Sequence, residues 1–221
     1  MVVGSSNPKS DTEPTSPRIV VGITGASGAM YATRTIQLLV AAGVETHVVA
    51  SALGQRLLRD ELGMESLDPA RLAGLPEDAD APDHLVLHHA KDVGATIASG
   101  SFRHDGMVIV PCSSNTLGAI ATGQASHLIH RAAHVTLKER RKLILVHRET
   151  PLSRIDLQNQ LTAHDAGAIV LPANPGFYML PQRVEDLVDF VVGRVLDHLD
   201  VPHDLKLRWP GDMRAVRAGA D

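Results

Sequence analysis

The stretch Arg18-Ile-Val-Val-Gly-Ile-Thr-Gly-Ala-Ser-Gly28 constrains the fold more than any other part of the chain. A short apolar strand runs into small residues and then into a helical pattern. Three glycines and two hydroxyls at a strand-to-helix turn let backbone amides approach an anion at the positive end of a helix dipole. The glycines stand at 22, 25 and 28, so the spacing is G-x-x-G-x-x-G and not the G-x-G-x-x-G of dinucleotide sites. The next strand, Glu45-Thr-His-Val-Val-Ala50, closes on Ser51, where a dinucleotide site wants an acidic residue for the ribose hydroxyls. A phosphorylated ligand other than NAD is expected, and tight packing of the turn is the plain alternative. Ser51 suits a second phosphate or a flavin edge.

Apolar strands alternate with helical patterns along the rest of the chain, the signature of a parallel sheet covered on both faces. Strands are expected near 18–24, 44–50, 106–111, 142–147 and 167–171. Helices are expected near 28–42, 52–62, 114–122, 126–140, 153–166 and 184–199. Residues 63–83, rich in Asp, Pro and Ala, read as a loop or a short helical excursion. The prediction is a single-domain α/β fold, a doubly wound (Rossmann-like, flavodoxin-like) parallel sheet with helices on both faces. At 221 residues and 44% hydrophobic content, the chain can bury one sizeable core.

Several function classes recede on composition. A net charge of −4 provides no basic field for nucleic acid. Cys112 is the sole cysteine, so neither a disulfide framework nor a thiolate metal cluster can form. No apolar run approaches the roughly 18–20 residues of a membrane span. Residues 1–17 mix Ser, Pro, Thr and both charges, which reads as a disordered extension and not a signal peptide. Asp11 and Glu13 argue against a transit peptide. A cytoplasmic protein is expected.

A second polar turn follows the strand in Met107-Val-Ile-Val-Pro-Cys-Ser-Ser-Asn-Thr116. Ser113, Ser114, Asn115 and Thr116 can cap a helix or donate to a ligand there. In a doubly wound sheet both turns lie at the carboxyl ends of strands, where ligands bind. Arg131 and Lys138, seven residues apart, share one helix face. The next strand ends in Arg148-Glu149-Thr150-Pro151, a guanidinium suited to phosphate and a carboxylate able to move a proton. Arg194 falls at the edge of the apolar stripe of the last helix and calls for an anionic partner, a ligand or a structural carboxylate. Trp209 is the lone tryptophan and can simply anchor the tail.

These segments together resemble the flavin prenyltransferases, the UbiX/Pad1-like proteins that make prenylated FMN. The likeness runs from Arg18 to about Gly211, leaving 212–221 as a tail. It is carried by Gly22-Ile-Thr-Gly-Ala-Ser-Gly28, Ala98-Ser-Gly-Ser-Phe102, Pro111-Cys-Ser-x-x-Thr116, Leu137-Lys-Glu-Arg-Arg141, Arg148-Glu-Thr-Pro-Leu152, Pro175-Gly-Phe-Tyr178 and Arg208-Trp209, in that order. The resemblance implies metal-independent transfer of a dimethylallyl group from dimethylallyl monophosphate to N5 and C6 of reduced FMN. The product would serve a decarboxylase of the UbiD type. It also implies a homo-oligomer, a dodecamer of trimers with sites between subunits.

By matching positions, Gly25, Ala26, Ser27, Ser51, Ser113, Ser114, Asn115, Thr116 and Arg148 are implied to hold FMN. Lys138, Tyr178 and Arg194 are implied to hold the donor phosphate, with Gly100 and Ser101 beside it and Arg131 from a neighbouring subunit. Glu149 is the candidate to protonate departing phosphate or shuttle the N5 proton; Ser27 would relay near N5 and Glu61 assist at ring closure. Trp209 would steady an allylic cation.

The chain departs from that pattern at Ser126-His127, at His134 and at His147, which precedes Arg148 where Pro or Val is common. These changes bear on the subunit interface and on the charge of the phosphate pocket. Twelve histidines, with His88-His89 the densest pair, invite a metal reading, but no carboxylate or cysteine completes a ligand set. Two other readings share the fold: an FMN-dependent decarboxylase of the phosphopantothenoylcysteine type, and a non-catalytic FMN carrier. The first relies on a histidine in a different loop, where this chain reads Ala98-Ser-Gly-Ser-Phe102, although His104 is nearby. The second has no need of a residue such as Glu149.

Overall fold

The structure, a computed structural model, describes residues 16–76 and 79–205. Nearly all of the proposed N-terminal extension, Trp209 and the 212–221 tail lie outside the described residues.

Six strands form one parallel sheet in the order β3-β2-β1-β4-β5-β6. They are β1 (Arg18–Ile23), β2 (Glu45–Ala50), β3 (Leu85–His89), β4 (Gly106–Cys112), β5 (Lys142–His147) and β6 (Ile169–Pro172). Seven α-helices are described: α1 (Ala29–Ala41), α2 (Ala52–Leu62), α3 (Pro69–Ala73), α4 (Ser114–Ala121), α5 (Leu128–Lys138), α6 (Arg154–Asp165) and α7 (Val184–His198). The chain winds outward from β1 to β3, returns to β4, and winds the other way to β6. That is the doubly wound fold expected, with its switch point between β1 and β4.

Strand alternation divides the core into two layers. Ile19, Val21, Ile23, Val108, Val110, Ile144 and Val146 face α1, α2, α3 and α7. Val20, Met107, Ile109, Leu143 and Leu145 face α4, α5 and α6. Each fully buried aliphatic side chain contributes about 1.5–3 kcal/mol against exposure. The excursion at 63–83 contains α3, opened by Pro69 after the Asp68 side chain caps Arg71 N–H at 2.9 Å.

The strand β3 was not expected from the sequence. It is an edge strand, paired with β2 alone, and it ends in His88 and His89. Only one neighbour and a partly solvated face demand apolar residues there, so no continuous apolar run marks it. A 3-10 turn at Thr96–Ala98 follows it.

Candidate active site

Backbone hydrogen bonds stitch the carboxyl ends of five strands into one edge. Ser51 N–H donates to Ile23 O at 2.9 Å, Thr24 to Pro111 O at 3.2 Å, Arg148 to Cys112 O at 3.2 Å and Ala173 to His147 O at 2.9 Å. The turn after β1, the caps of α2 and α4 and the loop after β5 therefore lie side by side. Thr24 ties the switch point together. Its buried hydroxyl donates to Pro111 O at 2.8 Å and accepts Ser113 N–H at 2.9 Å. Its position closing a buried strand was the one sequence signal for this role.

Ser51 and Ser113 are N-caps, accepting from Gly54 N–H at 3.0 Å and Thr116 N–H at 3.3 Å. Each such cap is worth about 1 kcal/mol. The capping alternative is thus realised for Ser113, Ser51 caps α2 as well, and each helix keeps further amides in its first turn. A Cβ at Gly54 would come within 2.4 Å of the Ile23 carbonyl oxygen, so only glycine allows α2 to start this close to β1. Gly28 takes φ +127°, a conformation that favours glycine, before α1 begins.

The first amides of α1 do not wait for a ligand phosphate, as the sequence suggested. The Glu61 carboxylate accepts from Ala29 N–H at 2.8 Å and from Gly28 N–H at 3.1 Å. Gly25, Ala26 and Ser27 remain at the edge beside it, with Gly25 and Ser27 exposed.

Arg148 carries the clearest sign of a missing anion: its Nε is buried and has no hydrogen-bond partner. A buried guanidinium nitrogen without an acceptor costs free energy that a bound phosphate or flavin carbonyl removes. Next to it, Glu149 Oε1 accepts Thr150 N–H at 3.0 Å and Oε2 lies 3.4 Å from Ser114 Oγ. His147, the departure noted above, is buried and bonds to Ser114 at 3.0 Å and to Gln160 at 2.9 Å. Gln160 went unnoticed because nothing in sequence separates it from other polar residues of α6. Burial pushes the Cys112 thiol well above its usual range, so it is no nucleophile. FMN fits this edge through the orphaned Arg148 nitrogen, the exposed Asn115 and the first turns of α2 and α4.

Of the residues expected to hold the donor phosphate, Tyr178 lies in the loop after the carboxyl end of β6, but Lys138 is not at this edge of the same chain. Lys138 ends α5 just before β5 opens at Lys142, whereas Arg148 follows the end of β5. The six residues of β5 separate the two edges by roughly 20 Å. Lys138 Nζ pairs with Glu139 Oε1 at 2.5 Å, and Gly100 lies against both. Arg141 donates to Gly100 O at 2.9 Å and to Phe102 O at 2.6 Å, fixing the Ser99–Ser101 turn beside Lys138. Arg131 is exposed on α5. Arg194 is exposed, not half-buried, and pairs with Asp197 at 2.8 Å, the structural carboxylate weighed as an alternative. Tyr178 packs edge-on against Phe190, ring centroids 5.6 Å apart. A cavity of about 590 Å³ at the amino edge, lined by Arg18, Arg103, His104, Asp105 and Arg141, includes none of the expected site residues. Among the described residues no group of three or more His, Cys, Asp or Glu is placed to hold a metal, and no helix is long and apolar enough to cross a membrane.

Known proteins share this fold. A family model described as Flavoprotein matches residues 7–196. A probable UbiX-like flavin prenyltransferase of Streptomyces sp. (strain D7) is 50% identical over 204 residues, 92% of this chain and 96% of the relative. The crystal structure of AnUbiX (PadA1) in complex with FMN and dimethylallyl pyrophosphate superposes with a TM-score of 0.79 at 43% identity, covering 89% of this chain and 99% of that one. A dodecameric FMN-dependent UbiX-like decarboxylase from Escherichia coli O157:H7 does so with a TM-score of 0.78 at 42% identity, covering 88% and 100%. Matched along most of its length by both the family model and these relatives, this chain belongs to the flavoprotein family and, within it, to the UbiX/PAD1-like flavin prenyltransferases.

Proposed function

We propose that this protein transfers a dimethylallyl group from dimethylallyl monophosphate to N5 and C6 of reduced FMN, making prenylated FMN for a UbiD-type decarboxylase. The observation that carries the reading is Arg148, whose Nε is buried and unpaired in the loop after β5 that also carries Glu149. Reduced flavin supplies the nucleophilic nitrogen. The allyl C–O bond breaks with its electrons leaving on phosphate as the N5–carbon bond forms and N5 loses its proton. Ring closure then adds a proton to the prenyl alkene and joins its tertiary carbon to C6, which loses a proton in turn, for a net gain of C5H8.

This chain's residues have separable tasks in that reaction. Gly25, Ala26, Ser27, Ser51, Ser113, Ser114, Asn115, Thr116 and Arg148 hold the flavin at the carboxyl edge. Glu149 takes the N5 proton or returns it to phosphate, with Ser27 as relay and Glu61 near enough to the β1 turn to serve ring closure. Monophosphate is a poor leaving group, so fixed cations and the Tyr178 hydroxyl must meet its developing charge. Lys138 cannot do so in the chain that holds the flavin, roughly 20 Å away along β5. In this reading copies of the chain complete one another's sites, with Lys138, Arg131, Gly100 and Ser101 arriving from a neighbour, while Tyr178 lies in the loop after the carboxyl end of β6. A dodecamer like that of the Escherichia coli relative meets this need. Trp209 is the aromatic assigned to the allylic cation, and the cytoplasm is the assigned compartment.

Anaerobic incubation with reduced FMN and dimethylallyl monophosphate, without added metal, tests the reading by mass spectrometry of the released flavin. A gain of one C5H8 unit, lost in Glu149→Gln, is expected. Tight FMN binding without mass gain overturns it in favour of the decarboxylase or carrier.

A further inference from the structure

His147 closes β5 and is only 3% exposed, yet both of its ring nitrogens are engaged. Gln160 of α6 presents its side-chain nitrogen to Nδ1 at 2.9 Å. An amide nitrogen only donates, so Nδ1 accepts and the ring proton resides on Nε2. That proton points at Ser114 Oγ, 3.0 Å away on α4. The Ser114 oxygen is thereby an acceptor toward His147, and its own proton must turn to the opposite side. Glu149 Oε2, at 3.4 Å, is a carboxylate acceptor within hydrogen-bond distance of that hydroxyl.

Such a chain conducts a proton only where its far end can release one. This one stops at an amide, which cannot, so it orders groups and does not conduct. Burial also disfavours the charged ring, against the pull of Asp156 and Glu149. A neutral ring with a single proton has one direction of donation, and three elements (β5, α4 and α6) hold it.

We propose that His147 is a positioning residue for the reaction: locked by Gln160, it donates through Nε2 to Ser114 and so turns the Ser114 hydroxyl proton toward the Glu149 carboxylate. The proposal deepens the reading above and rests on Glu149 as the proton-transfer group. A carboxylate held by Ser114 on one oxygen and by Thr150 N–H on the other presents a defined lone pair to the reacting centre. Without His147 the hydroxyl can rotate, and the carboxylate loses one of its two restraints.

The test uses the full chain loaded with FMN and two variants. His147→Phe fills the ring's space without a donor; His147→Gln restores an N–H in the place of Nε2. Solid-state spectra of protein carrying 15N-labelled histidine should contain one signal, absent from His147→Phe, of a neutral ring protonated at Nε2. It should stay neutral at about pH 6.5, where free imidazole is half protonated. In prenyl transfer, His147→Phe should lower kcat about tenfold with KM for FMN and for dimethylallyl monophosphate within about twofold, and His147→Gln should recover most of that loss. A ring protonated at Nδ1, an unchanged kcat in His147→Phe, or no recovery in a folded His147→Gln overturns the proposal. Should neither variant fold, the tautomer of the wild-type ring decides. Wild-type protein that releases no prenylated flavin overturns the functional reading instead, and the tautomer then bears on the Ser114 network alone.

Discussion

The Glu61 carboxylate caps α1 at Ala29, accepting its N–H at 2.8 Å from the far end of α2. A negative charge at a positive helix end is stabilising by about 0.3–1 kcal/mol when exposed. The anion at the first turn of α1 is therefore the chain's own carboxylate.

Glu61→Ala is expected to lower stability to urea by about 1 kcal/mol or less. FMN affinity should stay within about twofold, read by quenching of flavin fluorescence. A tenfold loss of affinity would instead place Glu61 against the flavin itself.

Arg148→Met separates a ligand-binding cation from a structural one. A buried Nε without a partner contributes nothing to the unliganded fold and costs desolvation. The variant should therefore unfold at the same or higher urea concentration without FMN, while FMN affinity falls about tenfold or more, 1.4 kcal/mol at least. A variant that is less stable without ligand and binds FMN normally would make Arg148 a structural residue.

Thr24→Val removes the hydroxyl that joins β1 to the start of α4. It keeps the shape and leaves Ser113 N–H without its 2.9 Å acceptor in the buried switch point. An unmade buried hydrogen bond of this kind costs about 1–3 kcal/mol. Thr24→Ser should stay within about 0.5 kcal/mol of the wild type in the same urea titration. FMN affinity should fall in the valine variant alone, because α4 and its cap lose their tether.

Much of this was legible in the primary structure, for reasons that particular residues show. Val20 and Val21 face opposite layers, so buried on both sides the strand reads as a continuous apolar run. The polar run Ser113 to Thr116 then marks where a buried strand meets the edge. The strand at Leu85 escaped because one side of it has no neighbour. The Glu61 cap escaped because it joins residues 33 apart through the packing of two helices. Lys138 and Arg148 look adjacent on paper, ten positions apart, yet the strand between them puts them at opposite ends of the sheet. Spacing alone holds no information on that reversal.

Acid should destabilise the fold through buried histidines well before carboxylates protonate. His104 accepts no charge easily: burial lowers its pKa to about 4, although Gly106 O, 3.1 Å from Nδ1, opposes the shift. His130 is lowered to about 4 by burial, with His127 and His134 adding repulsion; its Nδ1 meets Ser126 at 3.0 Å and its Nε2 is buried without a partner. In the unfolded chain both rings titrate near 6.5. Between about pH 6.5 and 4 the unfolded state therefore binds two more protons than the folded one, so stability is full above 6.5 and is lost as pH falls. Two protons correspond to a slope of up to about 2.7 kcal/mol per pH unit. Burial lowers His127 and His134 as well, which steepens the same fall. Urea titrations at intervals from pH 7.5 to 4.5 should show that slope, and His130→Asn, which keeps a polar contact to Ser126 without titrating, should flatten it by about one proton. A stability that is level across this range would mean that these rings already bind protons in the folded protein, and that the α5 histidines are reached by water or by another copy of the chain.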